Sequence, residues 1–203
     1  MDRTTVRAVE AMTHMGLDVE AGALLLVQFD SADAARLAVG AGDTLRNLGA
    51  TEVAVTSDLD EGDQFLHARR MALPSLERLG SVMLDDVCVP TTSLGLQVEA
   101  VESIAIERGV TIGTFGHAGD RNLHPTIVFD AGNVAESAAA VAAFDDIVQV
   151  TMSLGGSITG KHGVGLLKQP YVERAIGAHE RRLMREVKAV FDPDGLLYPG
   201  KAY

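Results

Sequence analysis

The stretch VTIGTFGHAGDRNLHPTIVFD, Val110–Asp130, decides the fold. Two apolar runs, Val110–Phe115 and Leu123–Phe129, flank the polar turn HAGDRN. Short β-rich runs on either side of a polar turn predict two strands folded into a hairpin. A helix precedes the pair: Leu94, Val98, Val101 and Ala105 repeat at helical spacing and stop at Gly109. Another follows, opened by Asn133 as N-cap with Glu136 able to fold back, its apolar face made by Val141, Phe144, Val148 and Met152.

Further out, SVMLDDVCV (Ser81–Val89) reads as a strand, and so do ALLLVQF (Ala23–Phe29) and EVAVT (Glu52–Thr56). A helix from Ser31 to Gly49 lies between the last two, and Asp60–Leu79 is a helix that Pro74 should bend or divide. A last helix carries Leu183, Val187 and Val190 before the turn-rich tail FDPDGLLYPGK. The order β-α-β-α-β-α-β-β-α predicts an α+β fold of ferredoxin-like type, an antiparallel or mixed sheet with helices packed on one face. The two β-α-β halves read as a divergent structural duplication. The expected organisation is a single domain over residues 1–203, with a sheet-and-helix core in 1–130 and a helix, a Gly/His loop and a C-terminal helix in 131–203.

The chain has 203 residues, 47% of them hydrophobic, and a net charge of −11 from 28 acidic and 17 basic residues. That balance argues against a nucleic-acid partner, which demands a basic stripe to displace counterions. A single cysteine, Cys88, permits no internal disulfide, and the longest apolar runs are far too short for a transmembrane segment. The charged N-terminus MDRTTVRAVEAM lacks a signal-peptide core, so a cytoplasmic chain is expected.

Gly155–Gly165 reads GGSITGKHGVG, one residue short of a phosphate-binding G-x-x-x-x-G-K-[ST] loop. Context excludes that reading: the loop follows a long helix instead of a buried strand, and His162 replaces the hydroxyl that would reach Mg²⁺. Its five glycines let backbone approach a flat ligand closely, or simply make a long connector. His162 in that loop could serve as a general base. His117 and His124 flank the hairpin turn; each could satisfy a structural hydrogen bond, or the two could form half of a metal site.

Three segments carry a resemblance. HAGDRNLHP resembles the H-x-G-D-G-N-L-H-P motif of FAD-linked oxidases of the vanillyl-alcohol oxidase class. GGSITGKHGVGLLKQPY resembles their G-G-x-x-x-G-E-H-G-x-G-x-x-K segment, and FDPDGLLYPGK their F-D-P-x-G-x-L-N-P-G-K tail. Within that class the segments resemble the 2-hydroxy-acid branch (glycolate oxidase flavin subunit, D-lactate dehydrogenase, D-2-hydroxyglutarate dehydrogenase). The resemblance covers the family's C-terminal substrate, or cap, domain and implies FAD held mostly by an N-terminal FAD-binding domain or subunit outside this chain. It implies oxidation of a small D-2-hydroxy acid by hydride transfer to flavin, with an unknown electron acceptor.

Residue by residue, the resemblance implies His162 as the base, Arg69 as a carboxylate-binding arginine, and His117 and His124 as two ligands of a divalent metal. Asn122, Gly163, Pro199, Gly200 and Lys201 would lie near the flavin. Four positions depart from the pattern. Lys161 stands where the family has a metal-ligating glutamate, which weakens the metal site and suggests an ammonium that attracts the substrate carboxylate. Arg121 replaces the glycine of G-D-G-N in a turn that can require positive φ. Leu66 replaces a frequent tryptophan, and Tyr198 replaces the asparagine of L-N-P-G. The same departures admit an alternative, a catalytically silent binding or assembly module that keeps the fold.

Overall fold

The computed structural model describes residues 1–202 and divides into two compact units, Met1–Gly80 and the remainder from Ser81 onward. The first unit is helical: α1 (Arg3–Thr13), α2 (Ala34–Asn47), α3 (Leu59–Arg70) and α4 (Ala72–Glu77). Asp2 caps α1 by accepting the Thr5 N–H at 2.8 Å, and α1 packs on α4 through buried Val6, Val9, Ala72 and Leu76. The expected 60–79 helix is divided at Met71, which places Pro74 in the first turn of α4, where a missing N–H costs least.

Two expected strands do not form. Ala23–Phe29 joins no sheet and makes only an isolated bridge between Ala23 and Asp2, leaving Leu25 57% exposed. Glu52–Thr56 lies instead on α2, where Val53 and Val55 fill the space that Gly42 leaves open and Arg46 Nη2 donates to Val53 O at 3.2 Å. Apolar alternation marks a segment that wants a neighbour, but a strand also needs a second backbone edge, and no strand lies within this unit. The duplication therefore fails, since only the second half builds a sheet.

The second unit contains β1 (Ser81–Leu84), β2 (Val87–Cys88), α5 (Leu94–Arg108), β3 (Thr111–His117), β4 (Asn122–Phe129), α6 (Val134–Ser153) and α7 (Val172–Phe191). β4 is central. It pairs antiparallel with β3 on one side, from Thr111↔Val128 to His117↔Asn122, confirming the hairpin. On its other side it pairs antiparallel with β1 and then β2, two pieces of one edge interrupted at Asp85–Asp86. α5 and α6 pack together on the sheet, burying Val101, Ile104, Ile112, Ile127, Phe144, Ile147 and Val148.

This is the β-α-β-β-α order of a ferredoxin-like unit, and an isolated Cys88↔Ser157 bridge stands where its closing strand would run. Asn133 caps α6 by accepting the N–H groups of Ala135 and Glu136, while Glu136 folds back onto the Asp130 N–H at 2.8 Å. α7 is broken at Gly177 (φ 86), and of its residues only Val172 is buried, so Leu183, Val187 and Val190 stay exposed. No described helix is long and apolar enough to cross a membrane.

Candidate functional site

The glycine loop is built onto the interruption between β1 and β2. After α6 the chain turns, Ser157 and Cys88 exchange backbone hydrogen bonds of 2.8 and 3.1 Å, and the loop crosses the edge of β2. Two glycines permit this approach. A Cβ on Gly156 would stand 2.3 Å from Cys88 O, and one on Gly160 would stand 2.1 Å from Asn122 Nδ2.

Asp86 lies at the centre. Its Oδ2 accepts the backbone N–H groups of Gly160, Lys161 and His162 at 3.0, 2.8 and 2.7 Å, and its Oδ1 accepts Asn122 Nδ2 at 2.6 Å. The side chain is 2% exposed. Burial by itself would raise its pKa, but the hydrogen bonds from Asn122, His162 and Lys161, with the His162 charge, hold the carboxyl well below the usual carboxylate range.

Its neighbour Asp85 is fully buried and bonded to Lys168 Nζ at 2.6 Å, while the same ammonium donates to Asp86 O at 2.7 Å. Burial pushes the Asp85 carboxyl up, against the pull of Lys168. Thus the loop is fastened near both ends and in the middle by three residues, Asp85, Asp86 and Cys88.

The three histidines gather beside this anchor. His124 on β4 is 4% exposed, stacked against His162 with centroids 5.2 Å apart and planes 11° from parallel. His117, at the exposed end of β3, meets His124 edge-on at 5.8 Å. Burial lowers the His124 pKa to about 4; Asp86 opposes this, while the charges of His162, Lys161 and His117 add to it. His124 is therefore a neutral imidazole at neutral pH. Its Nδ1 lies 3.7 Å from Asp86 Oδ1, too far for a hydrogen bond. His162 is exposed, with its backbone fixed from behind.

Ligand atoms of Asp86, His124 and His162 lie within 4.8 Å of one another, close enough to share an ion. The donor set does not fit one well. Both Asp86 oxygens already accept hydrogen bonds, and the Lys161 ammonium is close enough to be felt at His124.

The other expected residues fall as follows. Asn122 gives its amide N–H to Asp86, and its Oδ1 is buried without a hydrogen-bond partner. Gly163 has φ 84 and donates its N–H to Thr159 Oγ1 at 3.1 Å. The tail carrying Pro199, Gly200 and Lys201 returns to this loop, where Ala202 N–H donates to Gly165 O at 3.1 Å. Lys201 Nζ stands 5.5 Å from the Tyr198 ring centre. Arg69 belongs to α3 of the first unit, half-buried, with its basicity lowered by burial. Arg121 (φ 61) and Tyr198 (φ 49) both adopt the left-handed conformation that their departures from Gly and Asn make costly. No local pattern assigns a role to Asp85 or Asp86, and Lys168 enters only as the closing lysine of the GGSITGKHGVGLLK segment. Two adjacent acids inside an apolar strand were the available signal, because buried carboxylates demand partners.

The family model described as FAD linked oxidases, C-terminal domain, matches residues 1–202. The chain is 35% identical to the glycolate oxidase subunit GlcD of Bacillus subtilis, over 100% of this chain and 44% of that protein. It is 34% identical to GlcD of Escherichia coli K12, over 99% of this chain and 41% of that protein. With D-lactate dehydrogenase of Anaerostipes hadrus it shares 34% identity over 90% of this chain and 39% of the relative. The chain thus spans less than half the length of these relatives. Among solved structures, 4-ethylphenol oxidase from Gulosibacter chungangensis in its isoeugenol complex matches the fold, with TM-score 0.50 and 16% identity over 72% of this chain and 31% of that one.

Proposed function

Because the chain belongs to the family of FAD-linked oxidase C-terminal domains, we propose that it is the substrate-side part of a flavoenzyme oxidising a D-2-hydroxy acid of the glycolate or D-lactate type. It works with an N-terminal FAD-binding domain or subunit and passes electrons to an acceptor that the chain does not identify. FAD, when bound, supplies the two-electron acceptor for the hydride leaving the α-carbon.

The observation that carries this proposal is His162, exposed on a loop whose backbone Asp86 fixes and whose ring stacks on the neutral His124. In this role His162 takes the substrate hydroxyl proton as the α-carbon becomes a carbonyl carbon. Lys161 supplies the positive charge that draws the substrate carboxylate, in place of a divalent ion held by His117 and His124. Arg69 enters as a further carboxylate ligand from the family resemblance alone, where a guanidinium suits bidentate pairing. Asn122, Gly163 and the returning tail, Pro199, Gly200 and Lys201, would lie along the flavin, with Asn122 also holding Asp86. Cytoplasmic location, argued from the single cysteine, is part of the same proposal.

The test is flavin reduction by substrate in the FAD-loaded complex of this chain with its FAD-binding domain. His162→Ala should slow the reduction by about 100- to 10,000-fold, the range of a lost general base. Undiminished reduction removes His162 from the role.

A further inference from the structure

We infer that Asp86 is the positioning residue of this site: its buried carboxylate sets the backbone of Gly160–His162, and with it the places of the His162 ring and the Lys161 ammonium. Successive N–H groups of a loop that converge on one point form a concavity suited to an anion. Here the anion is internal. The N–H groups of three consecutive residues meet on Oδ2 at 2.7–3.0 Å, and Thr159 Oγ1 stands 3.4 Å from the same oxygen.

The carboxylate is itself held rigidly. Asn122 of β4 fixes its other oxygen at 2.6 Å. The main chain of Asp86 and its neighbour is secured by Lys168 Nζ on Asp86 O and by the Asp85 N–H on Pro125 O, at 2.7 and 2.8 Å. Gly160 completes the fit, since a Cβ there would stand 2.8 Å from Asp86 Oδ1. From Ser157 to Lys168 the chain has no helix or strand of its own. The loop's shape is therefore set from outside, and Asp86 is the group that touches both loop residues given a chemical role, Lys161 and His162. Asp86 does not reach a substrate; it acts through His162 and Lys161, so the catalytic half of the inference rests on the function proposed above.

The experiment has two readouts. The first is backbone amide exchange by NMR on the full chain, comparing the parent with Asp86→Asn, which keeps volume and loses charge. In the parent, the amides of residues 160–162 should be protected. In the variant their protection should fall by about 10- to 100-fold, the worth of a hydrogen bond to a charged acceptor, while Thr126 and Ile127 of β4 keep theirs. Gly160→Ala retains the charge and should produce the same local loss, so the inference stays testable if Asp86→Asn does not fold. Unprotected amides in the parent, or protection unchanged in either variant, overturn it whatever the activity.

The second readout is substrate reduction of flavin in the FAD-loaded complex. Asp86→Asn should lower the limiting rate by about 10-fold or more, as misplacement of a catalytic group does. Loosened amides with an unchanged limiting rate would overturn the positioning role and leave Asp86 as a structural anchor only, whereas His162 as base falls only if His162→Ala leaves the rate unchanged.

Discussion

Arg121 occupies the turn between β3 and β4 at φ 61, with its N–H bonded to Ala118 O and its carbonyl accepting the Val89 N–H, both at 3.1 Å. Glycine would keep both bonds without the Cβ penalty, so Arg121→Gly should stabilise the protein by about 1 kcal/mol, read from denaturant midpoints. A lower midpoint would mean that the guanidinium contributes more than the backbone strain costs. Lys161 is testable through metal uptake. Because the His117 and His124 rings already lie 5.8 Å apart, Lys161→Glu should bind Zn²⁺ at least about 10-fold more tightly than the parent, a carboxylate replacing a repelling ammonium. Equal uptake would show that the metal-ligand roles do not carry over. His124 links the site to stability. Its folded pKa of about 4 lies below the ordinary 6.5, so the unfolded chain takes up the proton first and stability falls as pH drops from about 6.5 to about 4. His124 alone should contribute a loss on the order of 1–3 kcal/mol across that window, and His124→Gln should flatten the slope. Asp86, with its pKa depressed below 3.8, adds a further loss as pH falls below that value.

At the scale of elements, the loop from Gly155 to Lys168 depends on its closeness to β2. Gly156→Ala would place a Cβ 2.3 Å from Cys88 O and 2.8 Å from Thr151 O, two backbone atoms that cannot rotate away. It should cost about 1–3 kcal/mol, and a thermal midpoint equal to the parent's would contradict the bridge between Ser157 and Cys88. The hairpin, α5, α6 and their caps were legible in the sequence because periodicity, Gly109 and Asn133 are local signals. The histidine cluster was half legible, since His117 and His124 flank one turn. The anchor was not, because Asp86 meets Gly160–His162 across more than 70 positions of chain, a separation no local pattern encodes. Ala23–Phe29 and Glu52–Thr56 failed for the opposite reason. Their local pattern is strand-like, but pairing is a property of two segments, and no strand lies in their unit to supply the second edge.

For the whole molecule, the span of less than half the relatives' length fits the proposed role as one part of a flavoenzyme. The chain carries a net charge of −11, yet the loop beside the histidines presents the exposed Lys161, which fits the proposed anionic substrate drawn to a local cation. The exposed apolar face of α7, Leu183, Val187 and Val190, has no counterpart among the described residues. The anaerobic visible spectrum of the chain assembled with its FAD-binding domain, before and after addition of glycolate or D-lactate, tests the proposed oxidation. Bleaching of the oxidised flavin bands by one of these acids is the predicted result. A bound flavin whose spectrum stays unchanged with either acid would contradict the account, leaving a domain that keeps the fold without the chemistry.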